Sequence, residues 1–300
     1  MPAKSSLARM QQAIVFALFA GAVAWIASHW ERSPATAIVG ALAIVFGYSI
    51  FLAIEFVLIK TVGRDRDVPA PTWREATLAW LRESGTTPRV FFWRQPFRWR
   101  AEPDQLAAAP GKRGVVFVHG FVCNRGLWNP WMRELRGSGH PFVAVNLEPV
   151  FGSIEDYVPT IDNAVTRVTQ ASGGTAPIVV CHSMGGLAAR AWLRASGDAA
   201  RAHHVVTIAS PHRGTWLGHF GHAPNSRQMR LEGQWVTSLA QSLHAVPFTC
   251  WYSNCDNIVF PASTATLPGA DNRHLPGYAH VELAFRPEVV AHVKQLLASS

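Results

Sequence analysis

The chain is poor in charge and in cysteine. Only 15% of its 300 residues are charged, and the four cysteines, Cys123, Cys181, Cys250 and Cys255, have neither CxxC pairing nor the density of a small secreted scaffold. No disulfide framework is implied, although Cys250 and Cys255 are near enough in sequence to bridge in an oxidising compartment. A phosphate-binding loop, a dinucleotide fingerprint and a metal-ligand cluster are also missing, so neither cofactor nor metal is expected. Basic residues outnumber acidic ones by 27 to 19 but form no stripe on a recognisable module, and no nucleic-acid partner is expected. With 49% hydrophobic residues, the chain is too apolar to be disordered.

The charge that is present is unevenly distributed. Residues 1–62 hold only Lys4, Arg9, Glu31, Arg32, Glu55 and Lys60, within which Ala13 to Ser28 carries no charge and Ala35 to Ile59 is broken only by Glu55. Both runs approach or exceed the roughly 20 residues that span a bilayer core. The gap from His29 to Pro34 suits a tight turn, so residues 1–62 are expected to form a two-helix transmembrane anchor. A cleaved signal peptide is the competing reading, but no small-x-small site precedes the second run. Lys4 and Arg9 before the first span, with Lys60, Arg64 and Arg66 after the second, place both ends inside by the positive-inside rule. The expected location is the inner, cytoplasmic membrane as a multi-pass protein with a cytoplasmic domain. Glu55 is expected to snorkel to the interface.

Residues 63–112 read as a junction containing a helix over Thr72 to Glu83, then two early strands at VFFW (90–93) and PFRWR (96–100). After Gly114 the pattern becomes regular. Short β-branched runs at 115–119, 142–146, 178–182, 205–209 and 248–252 alternate with helix-forming stretches, which predicts a mostly parallel sheet covered on both faces. Chemistry in such α/β folds sits beyond the carboxyl ends of the strands.

The loop after IVVCH reads CHSMGG and leads into the helix-forming LAARAWLRA, placing Ser183 between strand and helix. Such an elbow strains the serine backbone and needs small residues two before and two after it. Gly185 meets the second need, and Cys181 stands where glycine is usual. The loop after VVFVH holds His119, Gly120 and Phe121, and the backbone amides of Phe121 and Met184 are the expected oxyanion-hole donors.

Residues 114–300 resemble an α/β-hydrolase of the bacterial lipase and esterase branch, through VVFVHGF, VVCHSMGG and IASPHRGT in the order that branch shows. The resemblance implies a core over 113–300 with the chain order Ser, acid, His. A serine needs a histidine base, and the imidazolium needs a carboxylate. Asp256 follows an apolar strand and is similar to the family's acid loop, with Val259 and Pro261 downstream. His280, in GYAHVEL, resembles the family's G-x-x-H loop and is preferred to His274, while His292 reads as a solvent-facing helical residue. His119, Gly120, His182, His212 and Trp216 are expected to line or position the substrate pocket. An inserted cap is expected over 213–246, with Trp216, Leu217, Phe220, Met229, Leu231 and Trp235 as candidates for an acyl pocket.

The expected function is hydrolysis of carboxylic esters, of lipids or other acyl compounds, by Ser183, His280 and Asp256 through an acyl-enzyme. Thioesterase or acyltransferase chemistry would use the same residues. The rival class is a catalytically silent membrane scaffold or permease-like component.

Overall fold

A computed structural model describes residues 5–63, 65–240 and 246–298. Lys4 and Arg64, two of the charges that flank the apolar runs, lie outside the described residues, as do residues 241–245 of the expected cap.

Both apolar runs are helices. Helix α1 spans Ser6–His29 and α2 spans Pro34–Thr61. Each has its own start signal: the Ser5 hydroxyl accepts from the Ala8 amide, and the Ser33 hydroxyl accepts from Thr36 ahead of Pro34. At about 1.5 Å per residue, 24 and 28 residues make rods of about 36 and 42 Å, long enough to cross a bilayer core. The helices pack as a hairpin, closely enough that a Cβ on Gly40 would fall 1.9 Å from Trp25 Nε1. Their outer faces stay apolar and exposed, including Phe16, Phe19, Val39, Ile50 and Phe51.

Both ends of the hairpin are seated on the rest of the molecule. At the start of α1, the Ser6 amide and hydroxyl donate to Glu148, Gln11 bonds to Gln95, and Gln12 donates to the Pro96 carbonyl. At the end of α2, Phe56 and Ile59 join a buried cluster with Ala76, Ala79, Cys255, Phe260 and Ala279. Glu55 does not snorkel. It is buried, and its Oε2 accepts a 2.6 Å hydrogen bond from the Asn257 side chain. A carboxylate facing protein finds a donor there that lipid does not provide.

Helix α3, Trp73–Thr87, opens on a capping box between Thr72 and Glu75. It runs on through a π-helical turn, Pro88–Arg94, into Gln95–Phe97. The two strands expected at 90–93 and 96–100 are therefore absent: the first is helical, and the second is helical to Phe97 and a turn over 98–100. Burial recurs at Val90, Gln95 and Pro96 while Trp93 is exposed, which is not the alternate-residue pattern of a strand. Alternation together with aromatic content is what suggests strands there.

The remaining chain forms a six-stranded, all-parallel sheet with the order β2-β1-β3-β4-β5-β6. The strands are β1 Val115–Val118, β2 Phe142–Ala144, β3 Ile178–His182, β4 His204–Ile208, β5 Phe248–Tyr252 and β6 Asp271–His274. Alternate residues face opposite layers. Val116, Val118, Val179 and Cys181 pack under α5 (Val158–Ala171) and α6 (Met184–Ser196). Val115, Phe117, Ile178 and Val180 pack toward α4 (Asn129–Arg136) and toward Val289, Val293 and Leu297 of α10 (Pro287–Ala298). The first five strands fall where the apolar runs predict them. β6 reads DNRH, an exposed edge with no apolar run to mark it. Between β4 and β5 lies an insertion of short helical turns: Trp216–Phe220, α7 Pro224–Gln228 and α8 Gln234–Ala240.

The sheet approaches α6 closely at one point. A Cβ on Gly185 would lie 2.5 Å from the Val118 carbonyl oxygen and 2.8 Å from that of His119. Gly185→Ala is therefore expected to cost about 1–3 kcal/mol of stability through backbone overpacking. The thermal midpoint of the full-length protein in detergent measures this, and an unchanged midpoint would refute it.

Candidate active site

The turn from β3 to α6 puts Ser183 in a conformation that L residues avoid, with φ +56° and ψ −129°. Its amide continues the sheet ladder by donating to Ile208, while its carbonyl accepts from Gly186 and starts the helix. Among the described residues four non-glycine positions have positive φ, and three of them, Val122, Ser183 and Ala209, follow β1, β3 and β4. Backbone strain is thus gathered at the carboxyl edge of the sheet. Gly120 permits the crowding, since a Cβ there would sit 2.7 Å from the Ser183 Cβ. Cys181, at the position where glycine is usual, points into the layer beneath α5 and α6, where a small side chain packs without meeting the serine. Burial pushes its thiol pKa up, so it is a protonated, apolar filler.

Asp256 and His280 come together as expected. His280 Nδ1 lies 2.9 and 3.0 Å from the two Asp256 carboxylate oxygens, and Asp256 Oδ1 also accepts from the Ile258 and Val259 amides at 2.9 and 2.8 Å. His280 opens the short helix α9, His280–Leu283, and its own amide donates to the Asn257 side-chain oxygen at 3.2 Å. Burial alone would lower the His280 pKa, but the Asp256 charge and hydrogen bond, helped by Glu83 and Glu55, raise it above its ordinary 6.5. The His182 ring packs 4.7 Å from that of His280, which brings the histidine beside the residue preceding Ser183. The Ser183 hydroxyl is not hydrogen-bonded to His280 in this conformation. Such bonds are often long until substrate draws the groups together.

An apolar cavity of about 230 Å³ opens at Ser183. Phe121, Leu217, Met229, Ile258 and Val259 contribute its apolar walls, so the insertion after β4 and the acid loop both shape it. Leu217 and Met229 were legible as pocket candidates. Trp216, Phe220, Leu231 and Trp235 are not among the lining residues; Trp216 instead packs on Phe220 and Phe260. The amide of Met184 is the first of α6, a position that helix geometry leaves without an intrahelical partner, and Phe121 borders the same cavity.

The neighbouring histidines do structural work rather than lining the cavity. His119 Nε2 accepts from the Leu147 amide, which leaves Nδ1 to donate to the Gly120 carbonyl and ties β1 to the segment after β2. Burial lowers its pKa to about 4, so the ring is neutral. His182 Nε2 lies 3.1 Å from the His280 carbonyl, and burial lowers its pKa to about 3. His212 lies beneath the site against Thr207 and Cys250. His274 sits exposed on β6, stacked on Tyr252, far from the acid in its contacts. His292 is not solvent-facing: it is buried on α10 against the Trp251 ring.

Two buried acids near the site were not expected there: Glu83 was not singled out, and Glu55 was assigned to the membrane interface. Glu83 of α3 accepts from the Val281 and Glu282 amides, and Glu55 of α2 reaches Asn257. Both precede the first strand, and only tertiary packing brings them to the site.

Comparison with known proteins agrees with this architecture. The family model described as alpha/beta hydrolase family matches residues 115–294. The mature form of Bacillus licheniformis lipase BlEst2 is similar in structure, with a TM-score of 0.55 and 17% identity over 63% of this chain and 94% of that one. Aspergillus fumigatus lipase B has a TM-score of 0.57 and 20% identity over 67% of this chain, which spans 57% of the lipase. Legionella pneumophila phospholipase PlaB has a TM-score of 0.51 and 13% identity over 62% of this chain and 59% of its own. A search of curated proteins returns no match. With its family model covering the whole parallel sheet and the elbow at Ser183, this chain belongs to the alpha/beta hydrolase family.

Proposed function

We propose that the protein is a membrane-anchored serine hydrolase that cleaves carboxylic esters of lipids or other acyl compounds. The observation that carries this reading is the strained Ser183 at the mouth of an apolar cavity, with a histidine, whose Nδ1 is held by a buried carboxylate, packed on the neighbouring His182. His280 Nε2 takes the Ser183 proton as Oγ attacks the ester carbonyl carbon. The Asp256 carboxylate keeps the proton on Nδ1 and stabilises the imidazolium that forms. The carbonyl oxygen becomes an oxyanion facing the Phe121 and Met184 amides. Collapse breaks the ester C–O bond, and His280 returns its proton to the leaving alkoxide. Water, activated by the same histidine, then hydrolyses the acyl-serine.

The anchor rests on the exposed apolar faces of α1 and α2, a surface larger than soluble monomers leave in water. Retention of α1 is favoured over cleavage as a signal sequence, because its first turns bond to Glu148, Gln95 and Pro96. The inner membrane and a cytoplasmic domain remain the proposed placement, from the Lys and Arg that flank the hairpin. The cavity volume lies below the roughly 300–1,000 Å³ of pockets that enclose drug-sized ligands, which suits short or medium acyl groups.

Hydrolysis of p-nitrophenyl esters of graded length by the full-length protein tests the assignment. Ser183→Ala is expected to lower kcat by roughly 10³-fold or more and to abolish labelling by a fluorophosphonate. His280→Ala should fall comparably, while His274→Ala stays within about threefold of wild type. Equal activity in Ser183→Ala would end the serine-hydrolase reading. Met229→Trp, which fills the cavity, is expected to move the optimum toward shorter acyl chains, and an unchanged chain-length profile would place the acyl group elsewhere. The pH profile follows from the charge around His280. As a base it must be neutral, so kcat/KM rises with pH through a limb above 6.5. Burial raises the Glu83 pKa to about 7. Glu83→Gln removes negative charge that holds the His280 pKa up, so the limb should shift to lower pH. A shift to higher pH would contradict this electrostatic account.

A further inference from the structure

The second apolar helix does more than hold the domain at a surface. Its Glu55 is 5% exposed and directs Oε2 to the Asn257 side-chain nitrogen at 2.6 Å. Asn257 is itself buried and lies between Asp256, the proposed acid, and Ile258, which lines the cavity. The Asn257 side-chain oxygen accepts from the backbone amide of His280. A single amide side chain thus joins the membrane helix on one side to the histidine's backbone on the other. Because an amide has one donating and one accepting end, the Glu55 carboxylate determines which way Asn257 faces.

We infer that Glu55 of α2 is a positioning residue for His280, acting through Asn257, so that the apolar hairpin completes the active site. This inference rests on the proposed roles of Ser183, Asp256 and His280. Three observations carry it together. Burying a carboxylate where apolar packing would serve as well is costly unless it is bonded, and its one hydrogen bond among the described residues goes to this loop. The adjoining turn of α2 is built into the same neighbourhood, with Phe56 and Ile59 packed among Cys255, Phe260 and Ala279, which bracket the acid and precede the histidine. Finally, α3 holds the same histidine turn independently, through Glu83 to the Val281 and Glu282 amides. The loops bearing the acid and the base are therefore suspended from two helices outside the sheet. Loss of one support should misalign the imidazole while substrate binding at the cavity persists.

The test uses full-length protein in detergent, with p-nitrophenyl butyrate as substrate and Ser183→Ala as reference. Glu55→Ala and Asn257→Ala are each expected to lower kcat by roughly 10- to 100-fold, the scale of a misplaced catalytic group. KM should stay within about threefold, because uniform binding is not removed. Glu55→Gln keeps an acceptor oxygen at the same reach and should recover most of the lost kcat, which a merely charged role would not predict. In the Asn257→Ala background, Glu55→Ala should add no further loss. Thermal midpoints check that each variant is folded. If no variant lacking an acceptor at position 55 folds, Asn257→Ala, which leaves α2 unaltered, decides the relay from its other end. Wild-type kcat in Glu55→Ala or in Asn257→Ala, or additive losses in the double variant, would overturn the inference while Ser183-dependent turnover stands. Turnover unaffected by Ser183→Ala would instead remove the catalytic reading on which it depends.

Discussion

A carboxylate and an imidazole buried side by side are stable only if the loops that carry them are themselves held by hydrogen bonds. Taking a carboxylate out of water costs several kcal/mol, recovered only through close geometry and additional hydrogen bonds. Asp256 and His280 are 3% and 5% exposed, and the structure supplies what that burial demands. Two amides of the acid's own loop meet Asp256, the Asn257 oxygen meets the His280 amide, and Glu83 meets the next two amides. Those partners come from β5's loop and α3, with α2 reached through Asn257. The demand of one buried carboxylate–imidazole pair therefore organises elements separated by some two hundred residues of chain.

The elbow at Ser183 makes a second demand, because its strained backbone must be held by what surrounds it. The ladder bond to Ile208, the contact of Gly120 with the serine Cβ and the tight seat of Gly185 on β1 together over-determine the turn. Strain at Val122 and Ala209 shares the same sheet edge, where parallel strands turn their carboxyl ends toward a binding crevice.

Much of this was legible because parallel strands buried on both faces read as continuous apolar runs, and five of the six do. β6 was not, since an edge strand of Asp, Asn, Arg and His carries no such mark. The segment after α3 was misread because its alternation and aromatic richness suggest strands, whereas the chain runs on helically through Pro88–Arg94 and Gln95–Phe97. The proposed triad residues Ser183, Asp256 and His280 could be picked out because local motifs frame each of them. His119, His182 and His212 were expected to line or position the pocket; they do not line it, and their ring nitrogens bond the backbone and the core, His182 at the His280 carbonyl. Glu55 was the opposite error. Hydropathy sees a lone acid in an apolar helix and assigns it to the interface, whereas its partner, Asn257, lies 202 residues away and only the fold brings them together.

Seating both ends of the α1–α2 hairpin on the domain has a consequence for how such a protein searches. A domain on a flexible linker samples a volume set by the linker's length and can meet molecules well away from the surface. Here the bonds of Ser6, Gln11 and Gln12 at one end and the packed Phe56 and Ile59 at the other leave no slack. On a bilayer, the domain would keep one height and one tilt, and its encounters would be those of two-dimensional diffusion within the sheet of lipid. Selectivity would then begin before any contact in the cavity, through the depth at which a molecule presents its scissile bond.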